Sequence, residues 1–360
     1  MCLISISVIL EKMDSLKSHI ISGHASIVEA LEALNRLSGE SMTLFVAGAD
    51  GRLLGSLTDG DVRRALLSRH NLSDEVGAIC KKDCLRLAEG EFDMAVVSRA
   101  RKMGISLLPV VREGRVVSMI DLRNQRGLIP ADGVLMAGGI GERLRPLTAT
   151  VPKPLLPVGQ RPLIDMNVDL MRDFGIKRIF VTVNYLKQKF FDHFASRVSE
   201  EDSGEEVVCV EEPQKLGTMG SLSLIDSFSS PHIVVMNADL LTDINLEDMY
   251  LKHIATDAWL TMAVVPYVVS VPYAIVEHRG DRVKGLTEKP TYNYYANAGI
   301  YMLRREVAES LPKGRYMDAT DLIDSLLGEG KRVTQFKIEG RWIDIGSPDD
   351  YRHACDIMGN

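Results

Sequence analysis

The sequence has no C-x-x-C pair, and its five cysteines, Cys2, Cys80, Cys84, Cys209 and Cys355, are odd in number and scattered. That excludes a disulfide framework and a zinc knuckle, and fits a reducing compartment. Proline is sparse, 14 residues against 29 glycines, and aromatic residues make up only 6%. With 46% hydrophobic and 25% charged residues, the chain is neither collagenous nor disordered and must fold globularly. It also lacks any apolar run near the roughly 20 residues a bilayer requires. The apolar stretch 2–10 has no basic residues before it and no small-residue cleavage site, and reads as a strand rather than a leader. A cytoplasmic protein with no membrane partner is expected. An excess of positive charge is missing too: 42 Lys and Arg against 49 Asp and Glu leave a net charge of -7. Nucleic acid is therefore not the expected partner, although a local Lys and Arg cluster could still meet a small anion. What is present is length, and 360 residues predict two domains rather than one core.

The opening 130 residues read as two copies of a helix-strand-strand-helix unit. In the first copy Ile27, Ala30, Leu31 and Leu34 recur at helical spacing, residues 44–47 and 53–57 form two strands around the turn 49–52, and a second helix follows at Asp61. The second copy repeats the order with a helix over 94–103 and strands over 107–111 and 116–120. The helix expected after it is soon broken by Gly127 and Pro130.

This arrangement resembles a tandem pair of cystathionine-beta-synthase (CBS) domains over about residues 17–126. The most telling segment is 56–66, where Thr58 and Asp61 match the hydroxyl and carboxylate such modules place against a ribose or phosphate. Ser118 and Asp121 repeat the spacing in the second copy. The resemblance implies a regulatory nucleotide, a dimerisation surface, or both, and hence a homodimer or higher homo-oligomer. Thr58 and Asp61 could equally cap the helix that follows them.

From Asp132 onward strands alternate with helices, which predicts an α/β domain built on a mostly parallel sheet. The boundary is expected near residue 130, giving 1–130 and 131–360. A strand over 133–137 runs into a glycine-rich turn, Gly138-Gly139-Ile140-Gly141, whose bare backbone can aim several N–H groups at a phosphate. It is not a dinucleotide fingerprint, because Leu144 stands where the third glycine is needed, nor a P-loop, because no Gly-Lys-Ser/Thr closes it.

The run Ala137-Gly138-Gly139-Ile140-Gly141-Glu142-Arg143-Leu144-Arg145-Pro146-Leu147-Thr148, followed by Pro152-Lys153-Pro154, resembles the signature of the sugar-1-phosphate nucleotidyltransferase family, and the resemblance extends over 132–360. It implies a Rossmann-like (GT-A-like) fold in which Ala137, Gly138, Gly139 and Gly141 wrap a nucleotide. Arg143 would neutralise the departing phosphates and Lys153 would contact the α-phosphate. Fixed cations suit phosphoryl-type transfer, since its charge spreads over non-bridging oxygens. Glu142 stands where the family often has Thr.

The strand over 233–236 turns polar at Asn237-Ala238-Asp239, at the carboxyl end where open α/β sheets hold ligands. By resemblance Asp239 ligates Mg²⁺ and Asn237 meets the sugar phosphate, with Ala238 replacing the usual Gly. The segment 341–351 resembles the family's Trp-x-Asp-Ile-Gly-x-Pro-x-x-Tyr and offers Asp344 as a second ligand. Ser347 reads as an N-cap with Pro348 at the first helical position, so Asp349 and Asp350 need no catalytic role. Two carboxylates plus substrate phosphates are what Mg²⁺ prefers.

The stretch 211–221 contains Leu-Gly-Thr-x-Gly and resembles the base-reading loop, implying Gly217, Thr218 and Glu212 at the nucleobase. A carboxylate can accept from guanine N1–H and its 2-amino group together, whereas thymine asks for an acceptor and a donor. Glu212 therefore favours GTP, and thymidylyl, uridylyl or cytidylyl transfer is the alternative. Sugar contacts are implied for Ala274, where Gly is usual, for Glu288 and Lys289 of Glu-Lys-Pro, and for Asn297 and Gly299 of Asn-x-Gly-x-Tyr. The expected reaction joins GTP and a hexosamine or mannose 1-phosphate into a nucleotide sugar for bacterial glycan synthesis. A nucleotide-sensing protein with a decayed second domain is the alternative of another class.

Overall fold

The computed structural model describes residues 16–39, 41–89, 93–123, 126–197 and 206–359; the strand expected over 2–10 lies outside them. The chain divides into two compact units, with the division between Leu128 and Ile129.

In the first unit β1 (Ile20–Ser22) pairs parallel with β2 (Thr43–Ala47), which pairs antiparallel with β3 (Leu53–Thr58). Helix α1 (Ile27–Arg36) starts at Ser26, whose hydroxyl takes the Glu29 N–H while Glu29 reaches back to the Ser26 N–H. Its Ile27, Ala30 and Leu34 bury on Leu44, Val46 and Leu57, as the helical spacing predicts. Helix α2 (Asp59–Leu67) begins two residues earlier than expected, because Thr58 and Asp61 make a second capping box. In the second copy, β4 (Leu87–Ala88) lies beside the hairpin of β5 (Leu107–Arg112) and β6 (Arg115–Asp121), under helix α3 (Met94–Lys102). No helix follows β6 among the described residues of this unit.

The second unit is a mixed α/β sandwich around one seven-stranded sheet. Its strands are β7 (Ala131–Met136), β10 (Arg178–Val183), β11 (Glu206–Glu211), β12 (His232–Asn237), β14 (Leu260–Ser270), β17 (Thr291–Arg304) and β18 (Val333–Lys337), in the order β11-β10-β7-β12-β17-β14-β18. β8 and β9 make a small hairpin over 157–162. Only β17 runs against its neighbours, so the sheet is mostly parallel, as expected. Helix α4 (Leu163–Asp173) ends where Gly175 takes φ +79°. Val134, Val181, Ile233 and Val235 are fully or almost fully buried, the continuous apolar pattern of strands covered on both faces.

β14 and β17 run well past the lengths the sequence suggests and pair along their whole extent, with a bulge between Met262 and Val264. They form an arm that carries the hairpin of β15 (Ile275–Arg279) and β16 (Arg282–Thr287). A short β13 (Leu240–Thr242) pairs with β19 (Trp342–Asp344), which ties the chain after β12 to the C-terminal segment. That pairing brings Asp239 and Asp344 together from positions more than a hundred residues apart.

Candidate active site

The parallel strands β7, β10, β11 and β12 all end at one edge of the sheet, and their carboxyl ends feed the loops that build the site. β7 leads into Ala137, held by its N–H to the Thr182 carbonyl at 2.9 Å, and then into Gly138 and Gly139. Gly141 takes φ +68°, and its carbonyl accepts from the Thr148 hydroxyl at 2.8 Å. The loop then passes through a short 3-10 turn that leaves Arg143 exposed.

Lys153 stands on a second such turn, with its side chain only 12% exposed. Its Nζ donates to Asp239 Oδ2 at 2.6 Å and lies 3.8 Å from Asp344 Oδ1. Burial raises the Asp344 carboxyl, the Asp239 charge raises it further, and Lys153 and Arg143 pull it back. Asp344 therefore feels the other three groups predicted for phosphate and metal. Asp239 Oδ1 is buried without a hydrogen-bond partner. A carboxylate oxygen left orphaned beside a second carboxylate is what a hard divalent cation would complete, so the donor set fits such an ion. Among the described residues no group of three or more His, Cys, Asp and Glu gathers to hold a metal, so an ion here would rest on these two carboxylates and on ligands from outside the protein.

A cleft of about 290 Å³ opens beside this cluster, lined at one end by Asn237 and Asp239 and at the other by Glu212, Gly217 and Thr218. Glu212 is 6% exposed, and burial raises its carboxyl, although a Thr182 hydroxyl and the Leu216 N–H hold the charged form. Its Oε1 comes so near Gly138 that a Cβ there would lie 2.8 Å from it. A side chain at that glycine would displace the Glu212 carboxylate, so glycine is favoured there by contact rather than by dihedral angle. Asn184 from the end of β10 anchors the Glu212 carbonyl at 2.8 Å.

On β17, Gly299 takes φ +71° and packs against Asn237, where a Cβ would fall 2.6 Å from the amide nitrogen. Asn297 is anchored locally, accepting from the Gly299 N–H at 3.0 Å and donating to the Tyr301 hydroxyl at 2.7 Å, and keeps a second N–H. Ala274 and Glu288 flank the β15-β16 hairpin, whose Ile275 pairs with Thr287, and Lys289 follows with φ +40°. These three are exposed on the arm and lie outside the cleft lining. Tyr316 and Asp318, which sequence reasoning did not single out, do line it. No motif marks them, and only the pairing of their segment with the Gly217 loop reveals them.

In the first unit, Thr58 and Asp61 are engaged with each other: the Thr58 hydroxyl donates to Asp61 Oδ2 at 2.7 Å, and Asp61 also takes Arg64 at 2.5 Å. Both still face a cavity of about 230 Å³ lined also by Arg64, Lys81 and Ser106. Ser118 and Asp121 sit on β6 outside that lining, and Asp121 is claimed by the Arg123 guanidinium at 2.6 Å, which lowers its carboxyl.

A parallel sheet edge that carries a glycine turn and Asp239, joined there by a buried lysine on a 3-10 turn and by Asp344 on the short β19, has the make-up of a phosphate-handling α/β domain. Residues 132–358 match the family described as nucleotidyl transferase, and the chain belongs to that family. Residues 11–68 match the CBS domain. The chain is similar to a probable mannose-1-phosphate guanylyltransferase of Arabidopsis thaliana, 30% identical over 229 residues, and to a mannose-1-phosphate guanyltransferase of Pichia angusta, 30% over 227. Each match covers 61% of this chain and 62% of the relative, so the chain spans under two thirds of the curated relatives' length. A Bacillus anthracis protein described as a glucose-1-phosphate thymidylyltransferase shares the fold, with a TM-score of 0.51 at 21% identity over 64% of this chain and 96% of that one.

Proposed function

We propose that this chain is a cytoplasmic sugar-1-phosphate nucleotidyltransferase that uses GTP and Mg²⁺. The observation that carries the reading is the contact of Lys153 with Asp239 and Asp344 beside the glycine turn. A phosphate oxygen of the sugar 1-phosphate attacks the α-phosphorus of the nucleotide in line. The new O–P bond forms as the bond from that phosphorus to the bridging oxygen breaks, and pyrophosphate leaves. The nucleophile is already an anion, so no base or covalent enzyme intermediate is needed, and positioning and neutralisation suffice. Lys153 meets the α-phosphate and Arg143 the departing phosphates, while Gly138, Gly139 and Gly141 let backbone N–H groups approach. Asp239 and Asp344 would hold the Mg²⁺, which supplies charge neutralisation at the phosphates.

Glu212 supports guanine, because a buried carboxylate can accept from two adjacent donors. The guanylyl names of the relatives point the same way. Mannose or a hexosamine 1-phosphate is the sugar we favour, held by Asn237, Asn297 and Gly299, with Ala274, Glu288 and Lys289 brought from the arm. Residues 131–360 would then be catalytic, and 1–130 a regulatory and dimerising CBS pair. Its nucleotide would enter beside Thr58 and Asp61, which face a cavity, rather than at Ser118 and Asp121.

Pyrophosphate release with Mg²⁺, across the common nucleoside triphosphates and a panel of sugar 1-phosphates, tests the reading. Release with one pairing establishes the reaction, and GTP in that pairing supports Glu212 as the base reader. Silence across the panel from folded protein would overturn it in favour of a nucleotide-sensing protein.

A further inference from the structure

The base-side loop is shaped by a segment 100 residues away. The Met317 N–H donates to the Leu216 carbonyl at 2.9 Å, and the Met317 carbonyl accepts from the N–H groups of Met219 and Gly220 at 2.9 and 3.1 Å. Glycine permits this closeness: Gly217 has φ +75°, and a Cβ there would fall 2.6 Å from the Met317 oxygen and 2.7 Å from Asp318 Oδ1. The Asp318 side chain then reaches into the loop, its Oδ1 accepting from the Thr218 N–H at 3.3 Å. Its Oδ2 accepts from the Tyr316 hydroxyl at 2.8 Å. That bond, with the Asp318 charge, raises the Tyr316 pKa and keeps the phenol a donor. The Asp318 N–H is fixed in turn by Asp321 Oδ2 at 2.9 Å, at the start of the helix Ala319–Gly328. Both Tyr316 and Asp318 line the cleft that holds Glu212.

We propose that Asp318, oriented by Tyr316, is a positioning residue for nucleotide selection: it holds the Gly217–Thr218 turn in the conformation that sets a nucleobase against Glu212. The proposal rests on the nucleotidyl-transfer reading. A loop in a left-handed conformation has competing shapes, and a charged acceptor on its N–H favours one of them before the ligand arrives. Base discrimination by Glu212 requires donor and acceptor to meet within a few tenths of an ångström. Relaxation of the opposite wall would therefore weaken selection among bases more than it weakens the chemistry at Lys153.

The test uses the full chain with Asp318→Ala, Asp318→Asn and Tyr316→Phe, comparing calorimetric binding of GTP, dTTP, UTP and CTP with steady-state kinetics on the same nucleotides. Asp318→Ala is expected to raise Kd and KM for the preferred nucleotide roughly tenfold and to narrow the preference among bases by a similar factor. Asp318→Asn keeps an amide oxygen for the Thr218 N–H, preserves the fold and is expected to fall between. Tyr316→Phe should act in the same direction with a smaller change. KM for the sugar phosphate and kcat at saturating nucleotide should stay within about twofold, since Asp318 is bonded to Thr218 and Tyr316 rather than to Lys153, Asp239 or Asp344. Unchanged base preference in all three variants, or a fall in kcat with nucleotide KM unchanged, would overturn the proposal. Wild-type protein that binds GTP yet releases no pyrophosphate overturns the reaction, while the binding ratios still decide on Asp318. Wild-type protein that binds no nucleotide overturns both.

Discussion

Lys153 Nζ lies 2.6 Å from Asp239 Oδ2 and 3.8 Å from Asp344 Oδ1, so one buried cation is shared by two carboxylates, one from the middle of the domain sequence and one from near its end. The lysine arrives on the turn after the glycine loop, Asp239 on the end of β12, and Asp344 on the short strand that pairs with β13. Under the proposed reading, substrate phosphate and a divalent cation would replace these internal partners, so that no bare charge is left in the protein.

Substitution of Asp239 by Asn should therefore separate chemistry from folding. The amide keeps the shape but cannot supply a charge to a divalent cation, so kcat is expected to fall by about 10²–10³-fold. Circular dichroism should be unchanged, because Lys153 retains Asp344 as a neighbour. Near-normal turnover by folded Asp239→Asn protein would remove the residue from the site.

Glu212 gives a pH dependence of definite sign. Burial raises its carboxyl above the ordinary carboxylate value. Under the proposed reading the ionised form is the one that would accept from guanine, and its population starts to fall at a higher pH than for an exposed glutamate. KM for GTP should therefore rise as pH is lowered through the raised pKa, with kcat less affected. Glu212→Gln should flatten that limb and lower the preference for GTP. In the nucleotide-free protein the same substitution removes a buried charge, so Tm at neutral pH should rise. A pH limb that survives in Glu212→Gln would assign the titration to another group.

Legibility in the sequence followed the degree to which local backbone shape is required. The glycine turn at 138–141 shows its phosphate chemistry in residue type, whereas Lys153 between two prolines and the Trp342–Asp344 segment were legible through the family resemblance, and the structure brings Lys153 to Asp344. The helix–strand–strand order of the first unit was readable because its apolar spacing matches its burial. Thr58 and Asp61 were ambiguous in sequence, and the structure shows them capping a helix while also facing a cavity. Tyr316 and Asp318 stayed hidden because their importance lies in a pairing across 100 residues. The length of the β14–β17 arm was missed because its outer half is exposed: Tyr267, Val268, Tyr292 and Tyr294 do not show the burial pattern that marks a core strand.

Gly299, proposed for the sugar pocket, packs against Asn237, which lines the cleft, and offers a test of that role. Alanine there would have to occupy a left-handed conformation and would meet Asn237 at 2.6 Å. The strain alone is about 1–2 kcal/mol, which for a domain of this size lowers Tm by roughly 2–4 °C per kcal/mol. The displaced Asn237 should raise KM for the sugar phosphate by severalfold while KM for the nucleotide changes little. Equal changes in both would mean that Gly299 serves the fold and not the sugar pocket.

His253 predicts acid lability away from the site. It is 1% exposed, with Nδ1 on the Thr261 hydroxyl at 2.8 Å and Nε2 buried without a partner. Its ring stands edge-on to His232 at 5.2 Å, and Arg304 adds positive charge nearby, while Asp257 opposes it weakly. Burial first, then those neighbours, push its pKa down to about 3, while burial and then Arg304 lower His232, with Glu306 opposing. The folded state therefore favours the neutral ring, and the unfolded chain takes up the proton near the ordinary value of about 6.5. The contribution to stability is fully present above that pH and is lost as pH falls from there toward 3. Denaturant midpoints measured between pH 7 and 4 should drop more steeply for the wild type than for His253→Asn, which keeps a polar partner for Thr261 but cannot take up the proton. Parallel profiles would show that the carboxylates alone govern the acid limb, because they titrate identically in both proteins, whereas only the histidine distinguishes them.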